Sequence, residues 1–182
     1  MTDNVTKLMA AVDPATCAAI ERFLYEEVQV LDDWEWPKWL DFLHEDIMYW
    51  APTQEERFAR ERSKRISEFG TSAYFEETKT ELSVRVERQL TNQAWAEEPP
   101  SRARHLITNI RINAGEVDGE YAVRSNFLVY RTTGQRSWDQ ITGDRTDVIV
   151  RAPESEWGYL IKSRRILFDM SILLNKNLSL FY

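Results

Sequence analysis

The sequence predicts an α+β fold in which N-terminal helices pack on one face of a curved antiparallel sheet. Two observations point to this class. In the first half of the chain, apolar residues recur at steps of three and four, the spacing of one helical face. From Arg104 onward, segments rich in Ile, Val, Tyr, Phe and Trp are separated by short turn-bearing pieces, the pattern of consecutive strands.

The first helix is predicted to begin at Asp13-Pro14. An Asp side chain can accept hydrogen bonds from the first free amides of a helix, and Pro has the backbone angle of its first turn. The predicted buried face consists of Ile20, Phe23, Leu24, Val28 and Leu31. Cys17, the single cysteine, lies in this helix, and we expect a small buried hydrophobic side chain.

Two further helices and a strand are predicted before residue 92. A short helix follows Trp36-Pro37 and carries Trp39, Leu40 and Leu43. Residues 47–52 read as a strand ended by a proline. Thr78 and Glu81 have the spacing of a capping box, in which hydroxyl and carboxylate satisfy free amides, so a third helix is expected over about 78–91.

The second half predicts an antiparallel meander of four strands. The strands span residues 104–113, 120–132, 136–151 and 157–170. In the second strand, Tyr121, Val123, Ser125, Phe127 and Val129 share one face, and Arg124 and Asn126 point to the other. The apolar C-terminal segment, residues 172–182, is expected to pack on the sheet or on a neighbouring subunit.

Bulk properties set limits on class and partners. The chain has 182 residues, the size of one domain, and we expect a single domain over 1–182 with a flexible N-terminus over 1–12. The net charge of -7 argues against nucleic acid. No signal peptide or membrane span is evident, so a soluble, cytoplasmic protein is expected. The charged residues 53–70 are interpreted as a solvated loop or a segment ordered by a partner.

Two histidines limit the possible chemistry. His44 and Asp46 with a distant His105 have the ingredients of a two-His, one-carboxylate iron site. The favoured interpretation is that His44 ends the second helix and pairs with its terminal carbonyls. A second possibility is a pocket between helices and sheet, in which Asp46, Tyr49 or His105 acts as a general base on a small substrate.

Polar residues on the strands and clustered arginines suggest protein contacts. The strand residues are Asn109, Asn126, Asp139 and Arg145, which could contact another subunit. The arginines are Arg57, Arg60, Arg62, Arg65, Arg102 and Arg104. In an acidic protein such arginines suit ion pairs across a protein interface better than nucleic acid, although a solvated charge run explains residues 55–68 equally well.

Several separated segments resemble one known family. Residues 94–106, AWAEEPPSRARHL, are very similar to the signature of the small (β) subunit of aromatic-ring-hydroxylating dioxygenases, which are Rieske non-heme iron oxygenases. The N-terminal region around residues 31–52, the central Ser125-Asn126-Phe127 and the C-terminal residues 164–179 extend the resemblance over roughly residues 18 to 182. The sequence departs from the family at Met48, where relatives often have His, and in residues 53–70.

The resemblance implies a cone-shaped fold like that of nuclear transport factor 2 and the SnoaL-like proteins, used as a non-catalytic subunit. In this family three small subunits form a base beneath three large subunits in an α3β3 hexamer. The large subunit holds the Rieske [2Fe-2S] cluster and the mononuclear Fe(II), and the complex adds both atoms of oxygen to an aromatic ring in the catabolism of aromatic compounds. Electrons come from NADH through a reductase, often by way of a ferredoxin.

The resemblance implies no catalytic, cofactor-binding or metal-binding residue in this chain. The residue count agrees, since one Cys and two His cannot supply a Rieske cluster and an iron site together. Six residues are predicted instead to have structural or interface roles: Trp95, Pro99, Pro100, Arg102, Arg104 and His105. We expect Trp95 to anchor the segment and Pro99-Pro100 to fix its direction, and His105 to make structural hydrogen bonds. The alternative is a stand-alone isomerase or dehydratase of the same fold.

Overall fold

The computed structural model describes residues 12–55, 58, 65–91, 101–134, 137–170 and 179–182. The helices are α1 (Pro14–Asp32), α2 (Trp36–Trp39), which continues into a 3-10 turn (Leu40–Phe42), and α3 (Lys79–Leu90). The strands are β1 (Leu43–Pro52), β2 (Ala73–Glu77), β3 (Arg102–Ala114), β4 (Glu120–Thr133), β5 (Ser137–Arg151) and β6 (Tyr159–Phe168).

The six strands form one sheet in the order β2-β1-β6-β5-β4-β3. The four strands β3 to β6 make the predicted antiparallel meander, and the α+β class is confirmed. The sheet is nevertheless mixed, because β1 lies parallel to β6 and brings β2 with it at the edge. Strand β2 was not predicted, because its five residues show no clear alternation.

Helix α1 has the predicted start and buried face. The Asp13 carboxylate accepts a hydrogen bond from the Thr16 amide at 2.9 Å, and all five predicted face residues are buried. Each such side chain contributes roughly 1.5–3 kcal/mol when it leaves water. The expectation for Cys17 is wrong in degree, since its side chain is only half-buried, with Sγ 3.8 Å from the Val12 carbonyl oxygen.

The segment after α2 differs from the prediction. The helix ends at Trp39, and after the 3-10 turn Leu43 adopts extended backbone and begins β1. Leu43 is buried as predicted, but as a strand residue. The strand begins four residues before the predicted Ile47, because the polar run from His44 to Asp46 hides the alternation.

The predicted capping box of α3 is present. The Glu81 carboxylate accepts hydrogen bonds from the Thr78 amide at 2.7 Å and from its hydroxyl at 2.8 Å. By contrast, the described ends of residues 53–70 are a solvated loop only in part, with Glu55, Phe58 and residues 68–70 exposed. Gln54 is buried and bridges to Ile66, so both ends of this segment are tied to the sheet, while residues 56–57 and 59–64 lie outside the described residues.

One face of the sheet and the helices enclose the core. Along β4 the predicted alternation is confirmed, with Val123, Ser125, Phe127 and Val129 buried and Arg124 and Asn126 exposed. Phe181 and Tyr182 are buried inside, which confirms the expected packing of this end of the chain on the sheet, whereas residues 171–178 and 1–11 lie outside the described residues. In the part of the chain that the structure describes, no helix is long and apolar enough to cross a membrane.

Candidate functional site

The interior of the fold holds a buried, electrically neutral group of four charged side chains. Glu27 comes from α1, Arg145 and Asp147 from β5, and Arg164 from β6, and each is at most 1% exposed. Arg164 donates from Nε and Nη2 to the two oxygens of Asp147, both at 2.9 Å. It also donates from both Nη atoms to the two oxygens of Glu27, and Arg145 reaches the same Glu27 carboxylate at 3.3 Å.

Strand register explains why these groups meet. Asp147 lies directly opposite Arg164 in the β5–β6 pair, and Ser125 lies opposite Arg145 in the β4–β5 pair, where its hydroxyl accepts from Arg145 Nε at 3.2 Å. Helix α1 then places Glu27 over both arginines. We call Glu27, Arg145, Asp147 and Arg164 the charge quartet.

The charge quartet is stable because each charge is paired as well as buried. Burial disfavours the charged form of Glu27, but Arg164 and Arg145 outweigh it and lower the pKa of the carboxyl to about 2. Burial alone would lower the pKa of Arg164, but Asp147 and Glu27 raise it well above its usual value. The indole of Trp39 also donates to Glu27 at 3.1 Å. A buried charge that loses its partner costs several kcal/mol, so the four side chains depend on one another.

The C-terminal residues fill the space beside the charge quartet. The Tyr49 hydroxyl accepts from the Tyr182 amide at 2.7 Å and donates to the Tyr182 main-chain oxygen at 3.1 Å. That same oxygen accepts from Arg164 Nη1 at 3.1 Å. The Tyr182 ring packs against Phe168, with centroids 5.1 Å apart, and against Phe127 at 6.0 Å. The chain's own aromatic residues therefore occupy the interior.

This arrangement disfavours the isomerase or dehydratase hypothesis. Tyr49 is fully buried, its hydroxyl is engaged with Tyr182, and burial raises its pKa to about 12, so it remains protonated. Asp46, the second suggested base, projects from the surface with a side chain 82% exposed. His105, the third, has both ring nitrogens in hydrogen bonds to protein groups.

The structure does not assemble the suggested iron site. His44 lies in β1, where its Nδ1 accepts from the Asp46 amide at 3.1 Å, and the interpretation of His44 as a helix-ending residue is wrong because the helix stops earlier. His105 lies on β3, at the other edge of the sheet. Among the described residues, no group of three or more His, Cys, Asp or Glu side chains is placed to hold a metal ion.

His105 joins three elements. Its Nδ1 is 2.7 Å from Asp32 Oδ1 at the end of α1, and its Nε2 is 2.9 Å from the Phe181 carbonyl oxygen. A carbonyl only accepts, so Nε2 carries the hydrogen. Asp32 also accepts from the His105 amide at 3.1 Å and from Arg104 Nη1 at 3.1 Å. Asp32 thus connects β3 to α1, and His105 connects β3 to the C-terminal residues.

Of the other predicted residues in the segment 94–106, three lie outside the described residues and Arg102 lies within them. Trp95, Pro99 and Pro100 lie outside the described residues. Arg102 is exposed at the start of β3, next to Ser101, whose carbonyl oxygen accepts from the Trp34 indole at 3.0 Å. Trp34 has a positive φ of 61°, unusual for a bulky side chain, and this turn brings its indole to Ser101.

Glu27 and Asp147 were not predicted as site residues, and the suggestion that Arg145 contacts another subunit is wrong, because Arg145 is buried within the chain. A signal was present. Glu27 lies three residues after Leu24 and four before Leu31, in the middle of the apolar face of α1. Arg145 and Asp147 alternate with the buried Ile141 and Ile149 of β5 at a period of two. A charged residue at a core position requires a partner of the opposite charge nearby.

The outward face of β3, β4 and β5 carries an exposed apolar patch. Trp138 is 61%, Leu106 52% and Tyr130 39% exposed, and Leu128, opposite Leu106, lies between them. The rings of Tyr130 and Trp138 stack with centroids 5.9 Å apart. Large exposed side chains that cluster in this way mark protein contact surfaces. We call Leu106, Leu128, Tyr130 and Trp138 the outer patch.

An interior in which Tyr182 lies beside the charge quartet, together with an exposed apolar patch on the outer face, is typical of a subunit of an assembly. Comparison with known proteins gives the family. Residues 26–175 match the family model described as ring hydroxylating beta subunit. The chain belongs to this family of dioxygenase β subunits.

Curated relatives agree over nearly the whole chain. The β subunit of biphenyl 2,3-dioxygenase from Rhodococcus jostii (strain RHA1) is 38% identical over 173 residues, which cover 95% of this chain and 92% of that protein. The β subunit of benzene 1,2-dioxygenase from Pseudomonas putida is 36% identical with the same coverage. Among solved structures, a naphthalene 1,2-dioxygenase chain superimposes with a TM-score of 0.81 at 24% identity, covering 95% of this chain and 89% of that one. The cone-shaped fold is thereby confirmed.

Proposed function

We propose that this protein is the non-catalytic structural β subunit of a multicomponent dioxygenase that adds both atoms of O2 to an aromatic ring. Its role is to support the large subunits, which carry out the dihydroxylation with NADH-derived electrons. The observation that carries the proposal is the family match over residues 26–175, together with relatives of known name at 36–38% identity. The filled interior, closed by Tyr49 and Tyr182, supports a role without a reaction of its own.

The cofactors of such an enzyme do not fit this chain. A Rieske cluster takes two Cys and two His, and the chain has one Cys and two His in total. Both His residues are already bonded within their own surroundings, His44 to Asp46 and His105 to Asp32 and Phe181. The [2Fe-2S] cluster and the mononuclear Fe(II) are therefore assigned to the partner large subunit, and no step of the reaction passes through these residues.

The proposed partners are the large subunit and two further copies of this chain, in an α3β3 hexamer on which a reductase, directly or through a ferredoxin, acts. The predicted roles of Trp95, Pro99, Pro100, Arg102 and Arg104 in subunit contacts belong to this proposal. The exposure of Arg104 supports this proposal. Arg104 pairs with the buried carboxylate of Asp32, but its own side chain is 64% exposed, so Arg104 can also donate to an acceptor on a neighbouring subunit.

Two broader expectations are also retained as proposals. The chain folds as one domain over residues 1–182, which predicts a single cooperative unfolding transition. The assembled enzyme works in the cytoplasm, where soluble reductases deliver its electrons. The first is tested by comparing unfolding curves from Trp fluorescence and circular dichroism, which coincide for one cooperative unit.

The test of the main proposal uses the chain alone and the chain produced with the large subunit of its dioxygenase. Alone, we expect a trimer with no bound iron and no turnover of aromatic compounds. With the large subunit, we expect a hexamer containing iron and active on an aromatic ring. Stoichiometric iron in the isolated chain, or turnover that His105→Ala removes while the trimer persists, would overturn the proposal.

A further inference from the structure

Beside the outer patch, on the same outward face of the sheet, lies a small basic pocket. A cavity of about 220 Å³ is lined by Asn109, Arg111, Arg124 and Asn126. Arg111 of β3 and Arg124 of β4 are directly opposite each other in the strand register. Both side chains are exposed. We call these four residues the arginine pocket.

In the isolated chain, the two positive charges of the arginine pocket repel each other. Like charges directly opposite each other on neighbouring strands repel, and Arg124 forms an ion pair with Asp144 at 3.3 Å. Among the described residues, Arg111 has no ion pair. In the charge quartet, every charge is paired with an opposite one. Arg111 differs from these residues, although the chain has an excess of acidic side chains, with a net charge of -7.

The backbone at the pocket is also unusual. Asn109 has a positive φ of 54°, and the register between β3 and β4 shifts between Thr108 and Arg111. A bulge of this kind redirects side chains and costs some stability, and such local strain tends to occur where a surface has a function. The bulge is what places Arg111 opposite Arg124.

We propose that the arginine pocket receives a carboxylate from a second copy of this chain, supplied by the tip of the β3–β4 hairpin. This inference rests on the proposed trimer. The tip consists of Glu116, Val117 and Asp118, all exposed, with Val117 at 61%. Neither Glu116 nor Asp118 makes an ion pair with any other described residue. Two arginines and two amides offer several donors to one carboxylate, whose oxygens accept them in pairs.

The choice of a second copy follows from symmetry. A ring of three copies cannot use one patch against itself, because a self-complementary contact closes as a dimer. Each copy must present a receiving surface and a different entering surface. The β3–β4 hairpin provides both, a basic pocket at residues 109, 111, 124 and 126 and an acidic tip at residues 116–118, and the exposed outer patch continues from the pocket along the same strands.

Charge reversal tests the proposal in the full chain. Arg111→Glu places a negative charge where the incoming carboxylate binds, and we expect the dissociation constant of the trimer to rise at least about tenfold. Adding Glu116→Arg and Asp118→Arg to the same chain restores opposite charges across the contact, and we expect recovery to within about threefold of the unmodified chain. Sedimentation velocity over a dilution series measures both. Arg88→Glu, an exposed position on α3, is the matched control and should leave the trimer unchanged.

The outcomes separate this inference from the proposed function. If the unmodified chain is not a trimer, the proposed assembly fails. If the chain is a trimer and Arg111→Glu remains one at all concentrations, or the triple variant shows no recovery, the inference is overturned. If Arg111→Glu keeps the trimer and loses only the large subunit in a pull-down, the pocket receives a carboxylate of the large subunit, and the second-copy assignment is wrong.

Discussion

The two faces of the sheet differ in how their charged side chains are paired. On the inner face, the charge quartet brings two positive and two negative side chains together out of water, and each has a partner. On the outer face, Arg111 and Arg124 oppose each other, and the exposed rings of Tyr130 and Trp138 lie farther along the same face. The charges of the quartet are therefore matched within one chain, whereas Arg111 has no ion pair among the described residues and its proposed partner belongs to a second copy.

In a fold that can also enclose a pocket, this contrast indicates that the function depends on the outer surface. A polar interior in a cone-shaped fold suggests catalysis at first sight, but here the polar groups neutralise one another and the C-terminal residues close the space. Function is therefore expected at the surface, and substitutions on the two faces should have separable effects. Inner-face changes should reduce stability, and outer-face changes should reduce association.

The largest effect is expected at the centre of the charge quartet. Arg164→Ala leaves Glu27 and Asp147 buried without their main partner, and we expect a loss of about 3–5 kcal/mol in the free energy of unfolding. Urea denaturation followed by Trp fluorescence measures this loss. Arg165→Ala, on the next residue of β6 and facing outward, is the matched control and should change stability by no more than about 0.5 kcal/mol. Equal losses in the two variants would contradict the description of the inner face.

Acid should weaken the inner face in a defined range. The folded-state pKa of Glu27 is about 2, below its usual value of 4.5, so its contribution to stability is full above about pH 4.5 and is lost as the pH falls toward 2. By pH 3 the loss should amount to roughly 2 kcal/mol. The check is the pH dependence of urea unfolding in the unmodified chain and in Glu27→Gln. The variant should be less stable at pH 7 and should lack this part of the slope; an unchanged slope would argue against the pairing.

Two buried tyrosines provide a matched pair. Tyr49→Phe removes a hydroxyl that bonds to the amide and oxygen of Tyr182 and leaves the amide unsatisfied, which should cost about 1–3 kcal/mol. Tyr182→Phe removes a buried hydroxyl that has no hydrogen-bond partner among the described residues, so it should be neutral or slightly stabilising. Thermal and urea unfolding of the two variants give the comparison. The reverse order of stability would show that the Tyr49–Tyr182 contacts do not hold the C-terminal residues.

A smaller effect is expected at the boundary between the two faces. Arg104→Ala removes an exposed partner of Asp32 and should cost no more than about 1 kcal/mol, because the side chain is largely in water. Its neighbour on the exposed side of β3, Arg102, makes no ion pair with a described residue, so Arg102→Ala serves as the control for stability. If Arg104→Ala changes neither melting temperature, nor trimer formation, nor binding of the large subunit, its proposed role is wrong.

The smallest effect on the folded chain is expected in the outer patch. Trp138→Ser removes a ring that is 61% exposed, so the free energy of unfolding measured in the monomer should change by no more than about 0.5 kcal/mol. The same change should weaken association, because aromatic anchors carry much of the binding energy at protein interfaces. Unfolding at low protein concentration and sedimentation at high concentration separate the two. A large loss of monomer stability with normal association would reverse the assignment of the faces.

Much of the fold could be predicted from local signals. Asp13-Pro14 and the Thr78–Glu81 pair define helix starts through contacts within four residues, and the alternation in β4 defines which side chains enter the core. Prediction failed where polar residues interrupt the pattern, as at His44 before β1, and where a strand is as short as β2. The candidate site was harder still, since Glu27 has the spacing of a core residue but the chemistry of a surface one.

The sequence alone predicts the α+β class, the family, the starts of α1 and α3 and the meander from β3 to β6, because each depends on neighbours within a few residues or on motifs that can be read directly. Three pairings become visible only in the folded chain: β1 lies parallel to β6, Glu27 meets Arg164 137 residues later, and Tyr182 bonds to Tyr49 in the interior. These pairings depend on strand order and on the path of the whole chain. Core spacing marks Glu27, Arg145 and Asp147 as buried, but no local pattern encodes which of 53 charged side chains, 23 basic and 30 acidic, will pair with one another there.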